Sequence, residues 1–362
     1  MKIINLALAA TAFLTLTTAC TSSHDTADNT VVEQTEQKDT PPIDEKARAL
    51  YDKCNNLNDS DACFDLGVAY YNGERVKQDY SMSATYSEKA CSLGSNGGCF
   101  NMGFLYEKGQ GVRQDYQLAN HYYQKACDMN DNSGCLNLGY LYDNGRGVKH
   151  DYHLANKYYQ KACDLNNGTA CFNLGNSYCK GEGVKKDFKQ ANKYYLKACD
   201  LNNGEGCNNL GSSYNNGEGV KKDFKQAHKY YLKACDLNIG LGCDNLGISY
   251  RKGEGVTKDY HQANQYFKKA CDLDNGDGCN NLGYSYSHGQ GAKQDFQQTL
   301  YYYQKSCDLK EGMGCDNVGV LYNNGQGVRQ NINTAKWYYG KACDFGYQKG
   351  CDNYRKLNER GY

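Results

Sequence analysis

Twenty cysteines dominate the side chains able to do chemistry in this 362-residue chain. Eight recur every 36 residues (Cys91, Cys127, Cys163, Cys199, Cys235, Cys271, Cys307, Cys343), and a second series runs eight residues behind them (Cys99, Cys135, Cys171, Cys207, Cys243, Cys279, Cys315, Cys351). Thiols so placed could bridge or hold zinc. Short Cys-x-x-Cys spacing is absent, so neither a metal nor a cofactor is expected. Acyl transfer would need Ser-x-x-Lys at a helix start. It occurs at Ser177 to Lys180 and Ser249 to Lys252, but no Lys-Thr-Gly accompanies it. Of seven histidines only His150 and His153 are close, too few for a metal-dependent hydrolase. A recurring Gly-x-Gly, as Gly145-Arg146-Gly147, could cradle phosphate only after a strand. The catalytic residues, if any, are unknown from sequence.

The element that positions all of these is a tandem repeat. One unit reads Gly-Cys-x-Asn-Leu-Gly-x-x-Tyr-x-x-Gly-x-Gly-Val-x-x-Asp, then x-x-x-Ala-x-x-Tyr-Tyr-x-Lys-Ala-Cys-Asp-Leu-Asn. Full copies span 61–96, 97–132, 133–168, 169–204, 205–240, 241–276, 277–312 and 313–348, with half units at 44–60 and 349–362. Such a period predicts a solenoid. Leu138 and Tyr142 share a helical face, and Gly139 between them leaves room for a neighbouring helix. The first helix should stop at the Gly-x-Gly. A second should start at an N-cap (Asp79, Asp115, Asp151, Asp187, Asp223, Asp259, Asp295 or Asn331). Arg75 replaces the second glycine in the first copy, so a different turn is expected there.

Cysteines eight apart cannot bridge within one helix, where they would sit roughly 12 Å apart. The chain must turn between them, and Asp164-Leu165-Asn166-Asn167-Gly168 is rich in turn formers. A rival scheme joins cysteines 28 apart, as Cys99 to Cys127, and strands Cys54 and Cys351 at the ends. Local pairing uses every array cysteine. It gives Cys54–Cys63, Cys91–Cys99, Cys127–Cys135, Cys163–Cys171, Cys199–Cys207, Cys235–Cys243, Cys271–Cys279, Cys307–Cys315 and Cys343–Cys351. Cys20 and Cys179 are left over.

Residues 1–19 read as a signal peptide: Lys2, then an apolar run from Ile3 to Leu16 too short to span a bilayer. The run ends in Leu16-Thr17-Thr18-Ala19-Cys20, which resembles the lipobox of bacterial lipoproteins, although Thr17 replaces the usual aliphatic residue. The resemblance implies cleavage before Cys20 and its lipidation. Thr21, where an Asp would signal inner-membrane retention, implies the outer membrane. Residues 20–43 read as a disordered acidic tether, with five acids against one base in 21–43. Net charge is zero overall, which gives no footprint for nucleic acid.

The Leu-Gly-x-x-Tyr, Gly-x-Gly-Val, Ala-x-x-Tyr-Tyr and Lys-Ala columns over 44–362 resemble the Sel1-like repeat family, relatives of tetratricopeptide repeats. With Cys-x7-Cys in each unit, the array is similar to the Helicobacter cysteine-rich subfamily. That resemblance implies an all-α, tetratricopeptide-like superhelix of helix pairs stapled by disulfides. It also implies protein scaffolding or, alternatively, β-lactam binding or weak β-lactamase activity.

A partner peptide or protein should lie in a concave groove lined by the first helices. The Asn column (Asn101, Asn137, Asn173, Asn209 and onward) could grip a peptide backbone or serve the fold instead. The residue after the second cysteine is apolar early (Phe64, Phe100, Leu136, Phe172) and polar later (Asn208, Asp244, Asn280, Asp316, Asp352). With Val68, Phe104 and Tyr140 beside it, this column predicts an apolar N-terminal groove and a polar C-terminal one.

Overall fold

The structure is a computed structural model that describes residues 44–362. The expected signal peptide and tether, with Cys20, lie outside the described residues. Within them there are eighteen α-helices and no strand. The chain divides into two compact units, at Tyr122/Tyr123. The first holds α1 (Glu45–Asn56), α2 (Ser60–Asn72), α3 (Tyr80–Ser92) and α4 (Asn96–Lys108), and the division falls within α5 (Tyr116–Asp128). The second holds α6 (Asn132–Asn144), α7 (Tyr152–Asp164), α8 (Gly168–Lys180), α9 (Phe188–Asp200), α10 (Gly204–Asn216) and α11 (Phe224–Asp236). It continues through α12 (Gly240–Lys252), α13 (Tyr260–Asp272), α14 (Gly276–His288), α15 (Phe296–Asp308), α16 (Gly312–Asn324), α17 (Ile332–Asp344) and α18 (Gln348–Glu359). Even-numbered helices are the first of each repeat and odd-numbered ones the second.

The caps follow from the sequence. Asp187 Oδ1 accepts from the amides of Lys189 and Gln190, at 2.8 and 3.1 Å, and its counterparts do the same at most odd-numbered helices. Each satisfies amides that the helix itself leaves unpaired. The even-numbered helices from α2 to α16 stop at a left-handed glycine, such as Gly253 (φ 76°). Arg75 holds the same left-handed backbone (φ 69°) as the glycines it replaces, so the first turn does not differ from the others. Across from it stands Asp44, whose amide donates to the Arg75 carbonyl at 3.2 Å. Later repeats place an aromatic residue there, and the side chain at 75 bears only the cost of the backbone, about 1–2 kcal/mol.

Nine cysteine pairs are bridged, all with Cα–Cα of 4.5–4.7 Å: 54–63, 91–99, 127–135, 163–171, 199–207, 235–243, 271–279, 307–315 and 343–351. Each bridge ties the second helix of one repeat to the first helix of the next. The turn inside it rests on one left-handed residue, for example Asn166 (φ 63°) or Asn202 (φ 61°). So many bridges fit an oxidising, exported environment. No described helix is long and apolar enough to cross a membrane.

Inside each repeat two tyrosines stack. Tyr178 on Tyr194 (5.5 Å) and Tyr250 on Tyr266 (5.5 Å) are typical. The next residue along the second helix buries its ring against the glycine of the first helix. Phe267 fills the slot at Gly247, where a Cβ would stand 2.6 Å from the ring. In the first repeat Ser87 meets Gly67 instead. In the second unit, first helices of successive repeats also touch: α10 with α12, α12 with α14, α14 with α16, and α16 with α18. Even-numbered helices therefore take the crowded inner side of this unit, and odd-numbered helices the outer side.

Candidate interaction site

The inner side is built from two residue columns on the even-numbered helices. In the second unit, the carboxamide after the second cysteine's neighbour reaches back one repeat. Asn245 donates to Asn208 (2.9 Å), Asn281 to Asp244 (2.7 Å), Asn317 to Asn280 (2.7 Å) and Asn353 to Asp316 (2.7 Å). Asn208, Asp244, Asn280 and Asp316 are all buried, Asp316 completely. Of these polar residues of the later repeats, Asn280 reaches the wall of a cavity, while Asn208, Asp244 and Asp316 do not line an open groove. All four form a hydrogen-bonded ladder between helices, which replaces apolar packing at the same positions in earlier repeats. Phe172 packs on Tyr195 (6.1 Å), and Phe64 closes over Gly97. A buried carboxylate or carboxamide needs a partner, and the Asn column supplies it.

The expected site residues thus separate. In the first unit, Asn101 is buried, and Phe64, Phe100 and Phe104 are half-buried. Phe104 meets Tyr71 edge-on (5.9 Å). In the second unit, Leu136, Asn137, Phe172, Asn173 and Asn209 are half-buried. Asn209 donates to Asn176 at 3.4 Å. Tyr140 alone of the predicted residues is largely open, at 41%. Its column is polar in the next two repeats (Asn176, Ser212) and apolar again at Ile248, Tyr284 (39% exposed) and Val320, so the last repeats also present apolar groups on this side. That column was readable in the sequence as the residue after each Leu-Gly.

A cavity of about 530 Å³ opens along this side of α12, α14, α16 and α18. Arg251, Asn281, Tyr284, Met313, Asn317 and Lys349 line it. Arg251 lies over the Phe267 ring (5.1 Å) and donates to Asn281 (3.0 Å), and Lys349 stands 3.4 Å from the buried Asp316. Both cations are thus held in place at the cavity wall.

Burial pushes the Asp244 carboxyl up to about 6 from the ordinary 3.8. Nearby Asp277 adds to the effect, while the Asn281 hydrogen bond and Arg251 oppose it. Between these two values the folded chain holds a proton that the unfolded chain has lost. This residue's contribution to stability is therefore full below about pH 4, falls as pH rises to about 6, and stays low above that. Asp244→Asn keeps the acceptor without the charge, as Asn208 and Asn280 already do. The expected result is a gain of about 1–3 kcal/mol at neutral pH that vanishes in acid, measured by urea unfolding at both.

The hydrolase motifs do not assemble. Ser177 and Ser249 are buried, and each hydroxyl donates to the carbonyl four residues earlier (3.2 and 3.0 Å). Lys180 and Lys252 turn instead to Glu182 and Glu254. His150 packs edge-on to Tyr152 (4.2 Å), and no group of His, Cys, Asp and Glu suited to a metal ion occurs among the described residues. Cys179, the free thiol among the described residues, packs with Phe172 and Tyr178 against a core containing Tyr195. It packs there as a small side chain whose thiol also meets the Tyr195 hydroxyl.

The Sel1 repeat pattern matches at 60–95, 97–131, 132–167, 168–203, 204–239, 241–275, 276–311 and 313–347. The chain belongs to the Sel1 repeat family. Among curated proteins none matches it in sequence. Its Sel1 repeats are similar to those of a protective antigen from uropathogenic Escherichia coli strains that displays this fold. That protein is 28% identical, with a TM-score of 0.75, over 87% of this chain and 67% of the antigen. A Sel1 repeat protein from Oxalobacter formigenes is 25% identical, with a TM-score of 0.60, over 67% of this chain and 96% of its own. Cysteine-rich protein B of Helicobacter pylori is 40% identical over 36% of this chain and 95% of its own, with a TM-score of 0.31. Sel1 repeats, like other helical solenoids, are protein-interaction scaffolds.

Proposed function

We propose that this chain is an exported, lipid-anchored scaffold that holds an extended peptide or protein segment along the inner side of its first helices. Residues 1–19 would serve as the cleaved signal and Cys20 as the lipidated terminus. Residues 20–43 would be the tether and 44–362 the binding array, with the anchor at the outer membrane. The observation that carries the reading is the cavity on α12–α18. Partly exposed Tyr284 and Met313 sit there between the carboxamides of Asn281 and Asn317 and the fixed cations Arg251 and Lys349. Apolar groups for side chains, amides for a backbone and cations for carboxylates are what an extended peptide needs. No arrangement of the Ser-x-x-Lys pairs favours β-lactam chemistry.

The test selects peptides from a random library on the full chain, then measures their affinity for Tyr284→Ser/Met313→Ser. Binding should weaken at least tenfold, because anchors of this kind dominate an interface. The melting temperature should barely change, since both side chains stand partly in solvent. Peptides that bind the double variant as well as the parent would remove the cavity from the reading.

A further inference from the structure

The outer side of the second unit carries a separate signal. Six helices, α7, α9, α11, α13, α15 and α17, contain thirteen lysines, and each has a single acid, its last residue. In a chain of zero net charge this segregation is not compositional. One column on these helices stands two residues from the buried Ala (Thr299 in α15) and two from the buried ring. That is about 200° round the helix from each, and so points away from the core. It reads Lys157, Lys193, Lys229, Gln265, Tyr301 and Trp337, every one exposed.

The repeat supplies its own control. The first unit's second helix α3 has the same fold with Thr85 in this column and Glu88 one turn along, so the fold requires neither lysine nor aromatics there. In α9 and α11 the departure is stronger. Lys189 and Lys225 sit in the first turn, where the helix dipole disfavours a cation. Leu196 and Leu232 stand exposed two turns on. None of Lys157, Lys189, Lys193, Lys225 and Lys229 has an ion-pair partner among the described residues.

Tyr301 and Trp337 are 58% and 56% exposed. Tyr302 and Tyr338 brace them edge-on, and Lys341 lies over the indole at 4.7 Å. Braced aromatics of this exposure leave an apolar body in water with a polar tip beside it. The boundary between headgroup and acyl chain suits such side chains.

We propose that the outer face of α7–α17 docks on an anionic lipid surface. The lysines meet the headgroups, and Leu196, Leu232, Tyr301 and Trp337 enter the interface. Exposed leucine and tryptophan beside the lysines favour this partner over a hydrated polyanion, which would give them no apolar surroundings. The surface lies opposite the inner cavity and does not depend on it.

Trp337 is the chain's single tryptophan, so its emission reports this face alone. With the full chain, vesicles containing phosphatidylglycerol should shift that emission to the blue, and added salt should reverse the shift. Vesicles of phosphatidylcholine alone should leave it unchanged. Lys157→Gln/Lys193→Gln/Lys229→Gln carries the same N-terminus and the same indole, and should bind at least tenfold more weakly with an unchanged circular dichroism spectrum. An emission that does not move on anionic vesicles overturns the proposal. So does an equal shift on neutral ones, or a triple variant that binds like the parent. A shift with dextran sulfate but not with vesicles would identify a hydrated polyanion and equally overturn it.

Discussion

Gly255→Ala should cost the second unit roughly 3–5 kcal/mol, as left-handed strain and a hard clash add. Gly255 has φ of 79°, and a Cβ there would lie 2.2 Å from the Phe224 carbonyl oxygen and 2.5 Å from its carbon. Those atoms are backbone in the first turn of α11. Asp223 caps that turn through the amides of Lys225 and Gln226 (2.9 and 3.1 Å), so it cannot yield without losing its cap. Gly253 is the natural control. Its φ is similar (76°), but its nearest neighbour is the Lys258 Cβ at 3.2 Å. Gly253→Ala should therefore lose only about 1–2 kcal/mol. Urea midpoints of the two variants separate close approach from backbone strain, and equal losses would show that the approach costs nothing.

Cys199→Ser/Cys207→Ser should remove about 2–3 kcal/mol, the chain entropy that a short closed loop withholds from the unfolded state. Both cysteines are fully buried, between Ala234 and the flanking helices. In a stack where each repeat touches only its neighbours, the loss should stay local. Hydrogen exchange should accelerate roughly 30–150-fold in α9 and α10 and remain unchanged in α16–α18. A uniform acceleration along the second unit would mean that it unfolds as one body.

The fold was legible because its causes are local and repeated eight times. Period, helix stops, N-caps and the stapling of successive helix pairs each depend on a few residues whose chemistry has one outcome. The inner side was less legible. Phe172, Asn208 and Asp244 occupy one column, and their change of polarity read as a change of ligand. The structure places that column between helices, where polarity selects packing or hydrogen bonding. A sequence column gives a residue's direction round a helix but not its depth, and one turn separates the buried ladder from exposed Tyr284. Arg75 shows a similar limit. Whether a left-handed position tolerates a side chain depends on what stands across from it, and only the three-dimensional neighbour decides that.

The nine bridges never overlap along the chain. Each closes a ring whose second cysteine follows the first by eight or nine residues, and the next pair begins only after that ring ends. Biogenesis inherits this order. As the polypeptide emerges N-terminus first, the correct partner of every array cysteine is the next array thiol or the last one, while Cys20 and Cys179 stand outside the series. Oxidation between nearest array cysteines then gives the native set once Cys179 is passed over, since its own next thiol, Cys199, belongs to the ring with Cys207, and an interrupted chain would carry every completed ring already shut.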